Sequence, residues 1–526
     1  MTQRPARAPA TSFLDAYLAG AFADVFAVPP GDLETALSVP RDDLDRAPLV
    51  SALKRQHEAW GAGAAATESL RKLAHPNSRV VVTGQQIGWL LGPTFALSKA
   101  VTALLLARRL DSEERPVVPV FWMATQDHDV DEMNHAWLLD REERLTRLEV
   151  EVKRGPAVGR ARLDPSEVQR TRMALRRLDG DGPHAAEVDA LLARACEGAQ
   201  GWSEGFARLL LELFGEAGLL VVDPLEPSLA LLGRDALERE LADPGASAAA
   251  IREAGASLAE RSWQPLLGRG EDASNLFVER PGGGSRTLLR HRAGALYLGG
   301  ERVELSTLRA YLDEDPTSVT PAAGLRPVIQ DLLLPSAAFV VGPGELRYLA
   351  QLRPVYQAHG VHMPLIWPRA SVTVLQPPVR RILRRHGLDW RAVQADPRHE
   401  ECELQLRRHG YADRAAAAFA SVEREFTELL EATSALDPTL ERAVRRGRYH
   451  LERTVVTLRE KTGRALVRQD AEVGAQFARL RAHLRPNGGL QERVLSPFSH
   501  FLTLGVEPVR DAFLRVDPAG DHALEF

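Results

Sequence analysis

The stretch Val80-Val81-Val82-Thr83-Gly84-Gln85-Gln86-Ile87-Gly88 reads as a short β-branched strand running straight into a glycine-punctuated turn. A helix is expected next, from about Pro93 to Leu110, and then a second apolar strand from Val117 to Met123. Together they form a βαβ unit, whose parallel strands end side by side at the edge where open α/β sheets bind ligands. The second strand opens into Gln126-Asp127-His128-Asp129-Val130-Asp131-Glu132-Met133-Asn134-His135. The glycine turn and this acid- and histidine-rich run are therefore expected to face one crevice, which is an active-site layout.

Working outward, Gly218 to Val222 is another buried strand, ending in Asp223. The strand pattern resumes at Ala337 to Val341, followed by the turn Gly342-Pro343-Gly344-Glu345, a helix to about His359, and Met363 to Arg369. The reading divides the chain into a helical lead-in (1–75), a Rossmann-like α/β core (76–375), a helical coiled-coil arm (376–488) and a tail returning to the core (489–526). Two subdomains are expected as insertions in the core, at about 140–216 and 225–325, the second with a hairpin-like loop at Pro281-Gly282-Gly283-Gly284.

In the arm, Phe419, Val422, Phe426 and Leu429 recur at coiled-coil spacing. After Asp437-Pro438 a second helix of up to about 45 residues is expected, carrying Leu440, Val444, Leu451, Val455 and Leu458, then Val473, Phe477, Leu480 and Leu484. It would outreach its partner, and the uncovered apolar positions predict a homodimer through the arm.

Bulk properties narrow the function. The 526 residues carry a formal net charge of -5, which gives no reason to expect nucleic-acid binding. Two cysteines, Cys196 and Cys402, cannot build a disulfide framework, and neither sits in a nucleophile motif. No apolar run reaches the roughly 18 residues of a membrane span. The basic N-terminal residues are not followed by an apolar signal segment, so a cytoplasmic protein is expected. The chain uses arginine almost throughout; its lysines are Lys54, Lys72, Lys99, Lys153 and Lys461. Lys99 stands out, since it falls in the helix directly after the glycine turn.

The turn Thr83-Gly84-Gln85-Gln86 combines close backbone approach with amide donors and leads into a helix N-terminus, features that suit an anion or a polyhydroxylated ligand. It is neither a dinucleotide fingerprint nor a Walker loop. Asp127, His128, Asp129, Asp131, Asn134 and His135 could serve general acid/base chemistry and amine binding. Asp129 and Asp131 also have the spacing by which a metal-dependent sugar-nucleotide transferase holds a divalent ion on a diphosphate. A non-enzymatic dimeric scaffold is the third alternative. Glu345, Tyr348 and Arg369, with Gly342 and Gly344, could add polar groups to the same crevice.

At these motifs the chain resembles the BshC family, the cysteine-adding enzymes of bacillithiol biosynthesis. The similarity rests on Thr83-Gly84-Gln85-Gln86 with Gly88, Gly92, Pro93 and Lys99, on Pro119 to Met123 with Asp127 to His135, on Gly342 to Glu345, and on Pro368-Arg369 with Ser371. It implies a core similar to class I nucleotidyltransferases with insertions, plus a coiled-coil dimerisation domain. The implied reaction attaches L-cysteine to the amine of glucosaminyl-malate, with ATP or ADP as the expected nucleotide and no metal assigned. Lys99 and the residues Thr83 to Gln86 would contact an anion or the sugar substrate, and the Asp127 to His135 residues would supply acid/base groups and bind the amine. The turn lacks the His-x-Gly-His histidines of class I nucleotidyltransferases, and no Lys-Met-Ser-Lys-Ser loop is present, so the motifs do not name the energy source.

Overall fold

The computed structural model describes residues 12–41, 43–180 and 182–526. The chain forms two compact units. One comprises the chain up to Leu138, Thr146–Val372 and Leu495–Leu524; the other comprises Leu139–Leu145, Thr373–Val494 and Glu525–Phe526.

The strands used below are, in chain order, β1 (Arg79–Gln85), β2 (Val117–Met123), β3 (His135–Leu139), β4 (Leu145–Glu149), β5 (Leu220–Val222), β6 (Ala273–Val278), β7 (Thr287–Arg292), β8 (Ala295–Leu298), β9 (Glu301–Val303), β10 (Val319–Pro321), β11 (Ser336–Val341) and β12 (Leu365–Pro368). The central sheet of the first unit is all parallel, in the order β12-β11-β1-β2-β5. Val82 lies opposite Val120 on one side and Phe339 on the other. A parallel sheet is covered on both faces, and β2 and β11 are accordingly buried along their whole length. The connecting helix Phe95–Leu110 is buried on nearly every side until it ends in Arg108 and Arg109, where cations complement the helix dipole.

The strand order contains a reversal that fixes the site. From β1 the chain moves to β2 on one side, whereas from β11 it moves to β12 on the other. The crevice at a doubly wound sheet's topological switch point therefore opens between the ends of β1 and β11. The turns leaving these strands are the Gly-Gln-Gln and Gly-Pro-Gly-Glu segments.

A second, antiparallel sheet in the order β10-β6-β7-β8-β9 occupies the later insertion. The loop after β1 is pinned by the returning C-terminal segment: Thr94 donates to the Leu495 carbonyl from its N–H (2.8 Å) and its hydroxyl (2.7 Å), and the Ser496 hydroxyl donates to the Leu90 carbonyl at 2.8 Å. Leu90 and Leu91 have φ of 49° and 67°, unusual for side chains of this size. Those tertiary bonds hold them there.

The second unit is helical. Tyr411–Leu436 and Glu441–Val467 form a hairpin of nearly equal arms, 26 and 27 residues, with Phe419, Val422, Phe426, Val444, Leu451 and Val455 half-buried along the seam. The expected 45-residue helix is not continuous. It breaks around Asp470, whose side chain accepts from the Val473 N–H and caps a separate helix, Ala471–Leu484. Val473, Phe477, Leu480 and Leu484 are buried against the short helices at the base of the hairpin. The length mismatch behind the dimer expectation is thereby removed, although Leu429, Leu436, Leu440, Val456 and Leu458 remain exposed on the hairpin. Among the described residues no helix is long and apolar enough to cross a membrane.

Candidate functional site

Lys99 comes out of its helix at the crevice floor with 2% of its side chain exposed. Its ammonium donates to the Gly84 carbonyl at 2.7 Å and to Gln85 Oε1 at 2.9 Å, and it is ion-paired with Glu345 Oε2. Glu345 Oε2 also accepts from the Gly342 N–H at 2.9 Å, closing the cap of the helix Pro343–Leu349. One lysine thus ties the turn after β1 to the turn after β11 across the switch point. Burial pushes the Lys99 ammonium down from its ordinary range; Glu345 opposes that shift, and Arg369 and Arg326 add to it.

Gly84 has little room for a side chain. A Cβ there would sit 3.2 Å from the Trp122 carbonyl oxygen and 3.5 Å from Arg326 Nη1. Thr83 is spent on the scaffold, its hydroxyl donating to the Val340 carbonyl at 2.9 Å. Gln86 reaches the other way, its amide donating to the Asp129 carbonyl at 2.8 Å. Gln85 accepts at its backbone carbonyl from the Ala124 N–H at 2.9 Å. The glycine turn and the start of the Asp/His run are therefore adjacent.

Arg326 had no motif to mark it. It begins the helix Arg326–Leu333, donates to Gln330 Oε1 at 3.2 Å, and makes a long 3.4 Å contact with the Tyr348 hydroxyl. Gln330 in turn donates to Asp331 Oδ1 at 3.1 Å, and Tyr356 donates to Asp331 Oδ2 at 2.6 Å. Among the described residues no carboxylate lies within ion-pair distance of Arg326. A half-buried guanidinium with neutral partners favours an arriving anion. Burial raises the Tyr348 phenol, against the pull of Arg326. Arg369 lies with its guanidinium 5.5 Å from the Phe95 ring centre and donates to the Ala370 carbonyl at 2.9 Å. Gly344 is open, with nothing within 4 Å of a Cβ.

The Asp/His run is divided by its fold. Asp127 and His128, each with 44% of its side chain exposed, lie beside Arg286, whose side chain is 4% exposed. Arg286 Nη1 is 3.0 Å from His128 Nδ1 and 3.9 Å from Asp127 Oδ1. Burial pulls Arg286 down to about 10, with Asp127 and Glu279 opposing the shift. Asp129 accepts from the Glu132 N–H at 3.2 Å and caps a short helix, while exposed Asp131 is ion-paired with Arg154. Asn134 is buried and donates to Glu149 Oε1 at 3.1 Å. His135, half-buried, is 3.3 Å from Asn134 Oδ1 and is pushed down by burial and then by Arg147. The run therefore presents Asp127 and His128 together, whereas its other members are engaged in capping, an ion pair and β3–β4 contacts.

Asp129 and Asp131 are engaged separately, and among the described residues no three His, Cys, Asp or Glu side chains gather as a metal-holding group. Burial pushes the Cys196 thiol up to about 12 and raises that of Cys402, so both thiols stay protonated near neutral pH. Asp223 at the end of β5 is bound to the Thr125 hydroxyl at 2.5 Å and raised by burial. Arg286 and Arg326 are the functional candidates that the sequence reading missed. Each follows a glycine-bearing loop far along the chain, and only closure of the fold brings them to the crevice.

Comparison with known proteins gives concordant matches. Residues 29–370 match the family described as bacillithiol biosynthesis BshC, N-terminal Rossmann-like domain, and residues 372–520 match its C-terminal coiled-coil domain. A Thermus thermophilus protein named "Putative cysteine ligase BshC" is 41% identical over 432 residues, covering 81% of this chain and 84% of the relative. Proteins of the same name from Salinibacter ruber and Symbiobacterium thermophilum are each 32% identical, over 484 and 497 residues, covering 89% of this chain and 87% of the relative.

Proposed function

Since this chain belongs to the BshC family of bacillithiol biosynthesis and is a ligase, we propose that it joins the carboxyl group of L-cysteine to the amine of glucosaminyl-malate as an amide. The observation that carries this reading is the switch-point crevice, where the Lys99–Glu345 pair lies beside Arg326, a cation with neutral partners. Such a site suits a substrate that carries carboxylates.

Amide formation in water requires an activated carboxyl group, so a nucleotide is expected at the site, with ATP or ADP as the bound species. Arg326 and the N–H groups of the turn after β1 would receive an anionic group, either carboxylate or phosphate. Lys99 and Glu345 hold the two turns in register. Asp127, half-exposed beside His128, is placed to bind the substrate ammonium or take its proton as the amine attacks. His128 offers a hydrogen bond to an oxygen at the reacting centre. The protein acts in the cytoplasm as a homodimer joined through the apolar residues exposed on its helical hairpin.

Deletion of the gene tests the reaction. Loss of bacillithiol with accumulation of glucosaminyl-malate is expected. Accumulation of a different thiol precursor would overturn the assignment.

A further inference from the structure

We infer that Arg286 is a positioning residue that fixes the His128 imidazole as its Nε2–H tautomer, making His128 a hydrogen-bond donor toward the crevice. The first step is stereochemical. A guanidinium has only donors, so the ring nitrogen 3.0 Å from Arg286 Nη1 must be the one that holds a lone pair. The ring proton of neutral His128 then resides on Nε2.

Arg286 is held against alternatives on its other sides. Its Nε donates to Thr320 Oγ1 at 3.1 Å and its Nη2 to the Pro321 carbonyl at 3.1 Å, both on β10. Its guanidinium carbon stacks 3.9 Å from the centre of the Phe277 ring on β6, and the same ring lies 5.3 Å from the imidazole of His128. The inserted antiparallel sheet therefore clamps the guanidinium, and the guanidinium clamps the histidine.

The competing arrangement is also visible. Asp127 Oδ1 is 3.4 Å from the same Nδ1. Without Arg286, Nδ1–H would donate to Asp127, leaving the lone pair on Nε2 as in a carboxylate–histidine general base. Arg286 reverses that polarity. A donor at Nε2 suits an oxygen that gains negative charge as an acyl group is attacked. This catalytic consequence rests on the ligase reading; the tautomer does not.

The test is nitrogen NMR of full-length protein labelled at histidine, with the His128 signals assigned by their loss in His128→Ala. The neutral imidazole of the wild-type protein is expected to show protonated Nε2 and unprotonated Nδ1, and Arg286→Met is expected to move the proton to Nδ1. A wild-type Nδ1–H, or a tautomer unchanged in Arg286→Met, would overturn the inference. In turnover, Arg286→Met is expected to lower kcat by about a hundredfold with KM little changed, the scale of losing one oriented donor. In the His128→Ala background the same substitution is expected to have no further effect. Fully additive losses would assign Arg286 a merely structural role and refute the inference. Should no variant or wild type turn over these substrates, the ligase reading fails while the spectrum still decides the tautomer.

Discussion

Lys99 and Glu345 form an ion pair across the topological switch point of the sheet, joining segments that lie 246 positions apart in the chain. The lysine is almost wholly buried and also bonded to the Gly84 carbonyl, so the pair stitches the two ligand-facing turns together.

Breaking one half of this pair strands the other charge. Glu345→Gln leaves a buried ammonium with Arg326 and Arg369 nearby and is expected to destabilise the first unit by about 3 kcal/mol. The double variant Lys99→Met, Glu345→Gln is expected to recover most of that loss while remaining inactive. Thermal unfolding of the three proteins checks both statements.

Arg326 should separate stability from binding. Arg326→Gln removes a charge that has no carboxylate within ion-pair distance among the described residues but is attracted by Glu345 against the cost of its burial, so the thermal midpoint is expected to change little. Affinity for the anionic substrate is expected to fall by about tenfold to a hundredfold, the range for losing a charged hydrogen bond. Calorimetric titration with glucosaminyl-malate provides the second measurement. A fall in stability with affinity intact would remove Arg326 from the site.

The glycine turn is packed backbone to backbone. A Cβ on Gly88 would meet the Gly92 Cα at 2.8 Å, so Gly88→Ala must shift the loop and is expected to cost about 1–3 kcal/mol with loss of activity. Gly344→Ala, with open space around it, serves as the control and is expected to be near neutral in stability. Equal midpoints for both variants would contradict the packing argument.

Acid stability has an identifiable contributor away from the crevice. Arg172 makes paired 2.8 Å bonds to Asp189 and Arg176 one of 2.6 Å, and these hold the carboxyl down to about 2 against the effect of burial. Between the ordinary carboxyl value of 3.8 and about 2, the unfolded chain binds the proton and the native one does not. The stabilisation is complete above that window and is lost as the pH falls through it. It amounts to about 2 kcal/mol. Asp189→Asn is expected to show a correspondingly shallower loss of stability between pH 5 and pH 2, read from urea unfolding at each pH.

Sedimentation tests the proposed dimer. The wild type is expected to sediment as a dimer at micromolar concentration, and Leu436→Asp combined with Leu458→Asp as a monomer, since both leucines are exposed on the hairpin. A monomeric wild type would end the proposal.

The sequence by itself determined the parallel α/β core, the two glycine turns at its strand ends, the helical hairpin and the family. All of these are encoded locally, in apolar runs, turn glycines and helical spacing that need no distant partner to be read. Lys99 was legible for a related reason, as a rare lysine one helical segment beyond a ligand-type turn. Tertiary structure alone decided what the charged residues do. Asp127 through His135 look equivalent along the chain, yet a cap takes Asp129, an exposed arginine takes Asp131, and a β-strand contact takes Asn134. Only Asp127 and His128 are left beside Arg286. Arg286 and Arg326 follow glycine-bearing loops whose local sequence favours a turn and nothing more; their surroundings, and hence their chemistry, arise when Arg286 stacks on Phe277 of the inserted sheet and Arg326 comes to lie 5.8 Å from the ring centre of Phe339 on β11. A charge acquires its role from the dielectric and the partners around it, and those are properties of the closed fold.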